Sequence, residues 1–253
     1  MYSFARCVVL AFALCLPAAA MASEAAREKT IAVRVQVDAA GKVQSAKALP
    51  DPDGVEALNN IAVGLAQKLP FTPAKKDGAA APSETTLFLK LRMEPKPDGQ
   101  FGIRLVHASN GPHVVEMGRI RLPENKGLRS RATIVVSVPL REDGTPEVDG
   151  MKTEKVDMTN GSAFDEARYV SAIEGSLRHS RFEPDKVGGV AVRTRANLPY
   201  QFGGGGGGRG RGGKDAPGDD AKDTASVPGV TEVSDQAGVE LPKVIFTPAP
   251  VAK

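Results

Sequence analysis

The chain has 253 residues, with 33 Lys and Arg against 30 Asp and Glu, a balance that excludes any demand for nucleic acid or an anionic membrane as partner. It has no Trp, so modest aliphatic cores fit it better than one large aromatic core. Its two cysteines, Cys7 and Cys15, both lie within Met1 to Ala22, and loss of that segment would exclude disulfides and thiolate metal sites.

Residues 1–22 read as a cleaved secretory signal peptide. Arg6 forms a short basic region, Cys7 to Leu16 is apolar, Pro17 breaks the run, and Ala20-Met21-Ala22 offers small residues ahead of Ser23. The predicted location is periplasmic. The alternative is an uncleaved anchor in the inner membrane facing the periplasm, although the uncharged run is shorter than the roughly 20 residues a spanning helix needs.

From Thr30 the pattern becomes that of a folded domain. Ile31, Val33, Val35 and Val37 alternate with polar residues and predict a half-buried strand. A turn to Gly41 and a second strand over Lys42 to Leu49 follow. Asp53 with Glu56 reads as a capping box for a helix over 54–68, whose stripe is Val55, Leu58, Ile61, Leu65 and Leu69. Pro70 and Pro73 end it, and Leu87, Leu89, Leu91 and Met93 predict a closing strand.

Phe101 to Ala108 and His113 to Leu122 flank Asn110-Gly111, a strong hairpin signal, so 99–120 is expected to be a hairpin connector. The first pattern then returns. Ile134, Val136, Val138 and Leu140 predict a strand in which Pro139 marks an edge or a bulge. Ser162 and Asp165 cap a helix striped by Phe164, Ala167, Val170, Ile173 and Leu177, and Leu198, Tyr200 and Phe202 close the unit. Thr30 to Val37 with Gly41 corresponds to Thr133 to Leu140 with Gly144, and Phe71 to Lys75 with Gly78 corresponds to Phe182 to Lys186 with Gly189. The predicted class is α+β, as two tandem strand-strand-helix-strand modules at 23–98 and 121–202, each with a small antiparallel sheet. Residues 203–238, rich in glycine and then in polar and acidic residues, read as a flexible linker, and 239–253 as an apolar tail.

The spacing Val33 to Val43, an amphipathic helix, and Phe71 to Gly78 before an alternating strand resemble the C-terminal domain of the energy transducer TonB family. Asp143-Gly144, Phe164 to Ala167, Phe182, Pro184 and Lys186 to Gly189 carry the same likeness in the second copy. The resemblance implies a binding module of the cell envelope that takes an extended peptide, as from an outer-membrane receptor, as an added strand. The long proline-rich spacer and Ser/His-bearing transmembrane helix of a force transducer have no counterpart, which leaves a membrane-anchored transport component as the alternative function.

Chemistry has little support. His107, His113 and His179 lack a converging ligand set beyond Glu116, so no metal site is expected, and no Ser, His and Asp grouping stands out. Catalytic and cofactor-binding residues are therefore expected to be none, with an enzyme whose site the sequence hides as a further alternative. Gly203 to Gly213 lacks the Lys-Ser/Thr of a phosphate loop and the aromatics of an RNA-binding segment. The expected partner is a protein or peptide, with self-association through sheet edges as another use of the same surface. The candidate peptide-binding edge is the last strand, through Arg193, Arg195, Asn197 and Gln201. Val239 to Phe246 has the composition to fill that edge in cis.

Overall fold

A computed structural model describes residues 27–96, 100–121, 131–159, 161–202 and 236–247. The expected signal peptide at 1–22 and most of the expected linker at 203–238 lie outside the described residues. Among the described residues antiparallel strands dominate, with two α-helices, consistent with an α+β protein. No helix among the described residues is long and apolar enough to cross a membrane.

The alternation from Ile31 to Val37 produces β1 (Arg27–Val37), which pairs with β2 (Val43–Ala48) on one side. The turn between them is fixed by Asp38, whose carboxylate accepts the N–H groups of Ala40 and Lys42 at 2.8 and 2.9 Å. The chain then forms helix α1 (Glu56–Ala66), β3 (Phe71–Thr72), the short hairpin β4 (Ala74–Lys76) and β5 (Ala79–Ala81), and the long β6 (Ser83–Pro95), which pairs with the other side of β1. Ile31 opposes Leu89 and Val33 opposes Leu87, so both strands present their apolar faces to α1.

The face of α1 matches the expected stripe in part, since Leu58, Leu65 and Leu69 pack on the first core. Leu58, Ala62 and Ala66 are buried, while Val55 and Ile61 are exposed. The small alanines let the helix lie close on the sheet, which a reading weighted towards large apolar residues misses. Asp53 does not cap the helix either. The N-cap is Val55 without a side-chain bond, and Asp51 instead accepts the Asp53 N–H at 3.0 Å.

The expected hairpin at Asn110-Gly111 is not formed. β7 (Phe101–Gly111) runs straight through both residues and pairs with β6, Leu87 opposing Asn110. A bulge at Val106 restores Leu105 and Ile103 to the core face. After Pro112 the chain enters β8 (His113–Glu116), which leaves this sheet for another part of the molecule. The extended partner β6 outweighs the local turn preference of Asn-Gly.

The second core is built on β9 (Arg131–Leu140), flanked by β10 (Lys152–Thr159) and β14 (Thr194–Phe202), under helix α2 (Ala163–Leu177). Ile134, Val136, Val138 and Leu140 are fully buried against Leu198, Tyr200 and Phe202. Ser162 and Asp165 form the expected capping box. The buried face of α2 is Tyr169, Ala172, Ile173, Ser176 and Leu177, so Phe164, expected inside, is 69% exposed. Pro139 lies in the central strand, and its carbonyl accepts from Glu147 at 2.8 Å, beyond the point where β10 has ended. Pro139 is therefore not on an edge: Arg195 of β14 stands opposite it on one side, and on the other the turn bridged through Leu140 and Pro146 takes the place of β10.

Between α2 and β14 come β11 (Arg181–Glu183), β12 (Lys186–Val187) and β13 (Val190–Ala191). β11 pairs with β8, and β12 adds to the start of β6, with Lys186 opposite Glu84. Strands thus pass both ways between the two cores. The tail supplies β15 (Val239–Glu240) and β16 (Lys243–Val244).

Candidate peptide-binding site

The two Phe-Pro segments are positioned by the same device. Gly41 has φ +80°, and a Cβ there would lie 2.1 Å from the Phe71 carbonyl oxygen; Phe71 donates its N–H to the Gly41 carbonyl at 3.1 Å. Gly144 has φ +79°, with the Phe182 carbonyl 1.8 Å from such a Cβ and the Phe182 N–H bonded back at 3.0 Å. Each turn glycine locks the start of a short strand whose Phe is 4% exposed in its core.

Both short strands are completed by a segment from elsewhere. Beside Phe182 runs β8, with Val114 opposite the Phe. Beside Phe71 runs β16, with Val244 opposite the Phe. The tail continues this contact in both directions. Ile245 donates to the Pro70 carbonyl at 2.9 Å, Val239 and Glu240 pair with Lys76 and Lys75, and Asp77 donates to the Gly238 carbonyl at 2.7 Å. The tail's expected place on β14 is thus corrected: its described strands lie on β3 and β4.

The outer side of the docked tail meets Asn110 of β7, which is 1% exposed. Its amide nitrogen donates to the Pro242 carbonyl at 2.8 Å, and its amide oxygen accepts the Val244 N–H at 2.9 Å. One side chain thereby satisfies two of the main-chain groups that point away from β3. Val244 enters the first core with Phe246 packed beside it, and Val239 and Leu241 join Ala74, Val187 and Val192 in a smaller cluster. Lys75 and Glu240 form an exposed ion pair at 2.9 Å. Sequence reasoning missed Asn110, because its role depends on a partner 134 residues away.

Of the residues expected to form a peptide edge on β14, Arg193, Arg195 and Asn197 have partners, while β14 itself is the outer strand of its sheet among the described residues. Arg193 donates to Glu147 at 2.7 Å, Arg195 reaches the Ser137 hydroxyl at 3.5 Å, and both, like Asn197, have further interactions. Gln201 is exposed on the same face. His107 and His113 do not share a hairpin: the first opposes Lys90 in β7, the second Glu183 in β8. His113 is half-buried, and desolvation with the nearby Arg34 charge pushes its pKa down. Among the described residues no three His, Cys, Asp or Glu converge as a metal site.

Two other features stand out. Arg34 of β1 makes a bidentate ion pair with Glu183 and a second with Glu84 at 3.2 Å, and Lys186 completes the cluster at 3.2 Å from Glu84. The Arg34 hydrogen bonds hold the Glu183 carboxyl below its usual range; Glu84, which burial would push up, is held down by Lys186 and Arg34. This cluster ties the two cores together. A groove of about 750 Å³ runs between α2 and Met117 to Arg121, with Phe164 and His179 on its walls and Arg168 stacked 5.6 Å over the Phe164 ring. It is open, and among the described residues no strand is added in it, unlike the β3 and β4 edge.

No protein-family model, curated protein or solved structure matches the chain.

Proposed function

We propose that this chain is an exported, non-enzymatic binding protein that captures an extended peptide by strand addition along β3 and β4, and that its own tail occupies the site in the absence of a partner. The observation that carries this reading is the tail itself. Val239 to Phe246 makes ladder bonds with Phe71 to Lys76, buries its alternate side chains and receives the Asn110 amide on its other side. Main-chain bonds supply affinity and side-chain pockets supply selectivity, the division of labour expected of strand addition. The matching Gly41–Phe71 and Gly144–Phe182 geometries favour two modules of one TonB C-terminal-like type. In the second, β8 fills the equivalent place as part of the continuous chain; in the first, the filler is a C-terminal segment that a competing peptide replaces by mass action. Export rests on the features of residues 1–22, with a cell-envelope protein as the partner.

The test uses the full-length chain carrying Val244→Asp, which places a charge in an apolar position and releases the tail. A labelled peptide with the sequence of residues 238–247 should bind this variant and restore amide-exchange protection to Phe71–Lys76. Absence of binding, with the two cores intact by exchange, would remove the strand-capture reading.

A further inference from the structure

We infer that the β3 and β4 site selects extended segments of the form Pro-x-Val-Ile/Val, reading the proline through Asn110; this rests on the strand-capture reading above. Two observations carry it independently.

The first is hydrogen-bond arithmetic at Asn110. Lys243 and Ile245 direct their main-chain groups to the Phe71 side, so residues 242 and 244 direct theirs to Asn110. The amide meets the carbonyl of 242 and the N–H of 244. Two groups remain on that side, the Val244 carbonyl and the nitrogen of 242, and only the latter depends on the residue type. This nitrogen lies about 6 to 7 Å along the strand from that of 244, too far for the same amide oxygen to accept both. Residue 242 is buried, and proline brings no N–H to this position. Any other residue would bury a donor that Asn110 is not placed to satisfy. Proline is accordingly the residue that the site accepts without an orphaned donor.

The second observation comes from the other core. The segment that fills the place beside Phe182 is Pro112-His113-Val114-Val115, with Val114 opposite the Phe. The tail reads Pro242-Lys243-Val244-Ile245, with Val244 opposite its Phe. Proline thus stands two residues before the Val that faces the Phe in both, a basic or titratable residue follows it, and a β-branched residue comes after the Val. Two segments of unrelated surroundings that fill equivalent positions share one pattern. The partner is therefore a protein with an exposed Pro-x-Val-Ile/Val strand. An acidic residue two positions before the proline would meet Lys75 as Glu240 does.

The experiment measures binding of labelled peptides to the full-length Val244→Asp chain by fluorescence anisotropy. The parent peptide spans residues 238–247, and its variants carry Pro242→Ala or Val244→Thr. Loss of affinity of about tenfold or more for the Pro242→Ala peptide, with a several-fold loss for Val244→Thr, is the expected result. Equal binding of the Pro242→Ala and parent peptides would overturn the proline selection while leaving strand capture in place. Binding by none of the peptides would overturn both. Because the substitutions are in the peptide, folding of the protein does not enter the comparison.

Discussion

Asn110 accepts the Val244 N–H at 2.9 Å across 134 residues of chain, and in doing so turns an isolated segment into a docked strand. A two-residue ladder such as β16 with β3 has little stability by itself. The amide supplies the second side of bonding that a neighbouring strand would provide, in a place where water has no access.

Replacing Asn110 by Ala should therefore undock the tail without unfolding either core. The change removes two hydrogen bonds and leaves the Pro242 carbonyl and Val244 N–H to be satisfied elsewhere, a cost of about 1–3 kcal/mol. Hydrogen exchange should show faster exchange over 239–246 and 71–76, with β9 and β14 unchanged. Unaltered protection of the tail would show that the side-chain contacts of Val244 and Phe246 suffice.

The turn glycines offer a sharper test of the two-core construction. Gly41→Ala and Gly144→Ala each combine an unfavourable positive φ with an approach to a Phe carbonyl far inside contact distance. Each should destabilise by about 2 kcal/mol or more, because the clash is with backbone that a rotamer change does not relieve. Gly64→Ala and Gly175→Ala, at helical positions with nothing within 4 Å, should be neutral or stabilising by about 0.4–1 kcal/mol. Urea denaturation of the four variants separates these outcomes, and equal stability for all four would contradict the geometry of the turns.

Phe71→Ala and Phe182→Ala should each cost about 3–5 kcal/mol, since both rings are 4% exposed. The first should also release the tail, as Phe71 opposes Val244, whereas the second should loosen β8. Exchange rates at 239–246 distinguish them. Tail release by both variants would mean that the two cores unfold as one unit.

Much of this fold is local and was legible in the sequence. The alternations Ile31 to Val37, Ile134 to Leu140 and Leu198 to Phe202 give strand identity and the buried face, because a strand's period of two needs no knowledge of its neighbours. The Ser162 cap is local in the same sense. The failures are choices between distant partners. Asn110-Gly111 has the chemistry of a turn, but β6 is long enough to pair with it as a strand, and Gly111 is not among the glycines with positive φ. The tail's composition marks Val239 to Phe246 as a strand, yet nothing in it chooses β3 over β14. That choice is made by Asn110 and the apolar surface around Phe71. The helix faces were legible in part: Leu58, Leu65, Leu69, Ile173 and Leu177 reach the cores as expected, whereas Ile61 and Phe164 give way to Ala62, Ala66 and Ala172, whose small side chains allow close packing.

The last prediction concerns Asp185, which stands in the Phe-Pro segment of the second core where the first has Ala74. Ala74 packs in the small cluster against the tail, whereas Asp185 is 1% exposed, and its two carboxylate oxygens have no hydrogen-bond partner among the described residues. Burial pushes its pKa up to about 7; the Thr85 hydroxyl, near the carboxyl but outside good hydrogen-bond geometry, and the Arg34 charge act in the opposite direction. The unfolded chain loses this proton near the ordinary value of 3.8, so between that pH and about 7 the folded state binds more protons than the unfolded one. Stability from this group accordingly falls as pH rises through that window and levels off above it. Glu183 and Glu84 act with the opposite sign, because their lowered pKa values give stability that is present above the ordinary carboxylate range and lost as pH falls below it. Asp185→Asn should remove the first effect and leave the second. The difference in unfolding free energy between variant and parent should thus grow in the variant's favour from pH 4 to about 7 and stay constant beyond. A difference independent of pH would mean that Asp185 is ionised throughout, paired with Arg34 in the folded protein.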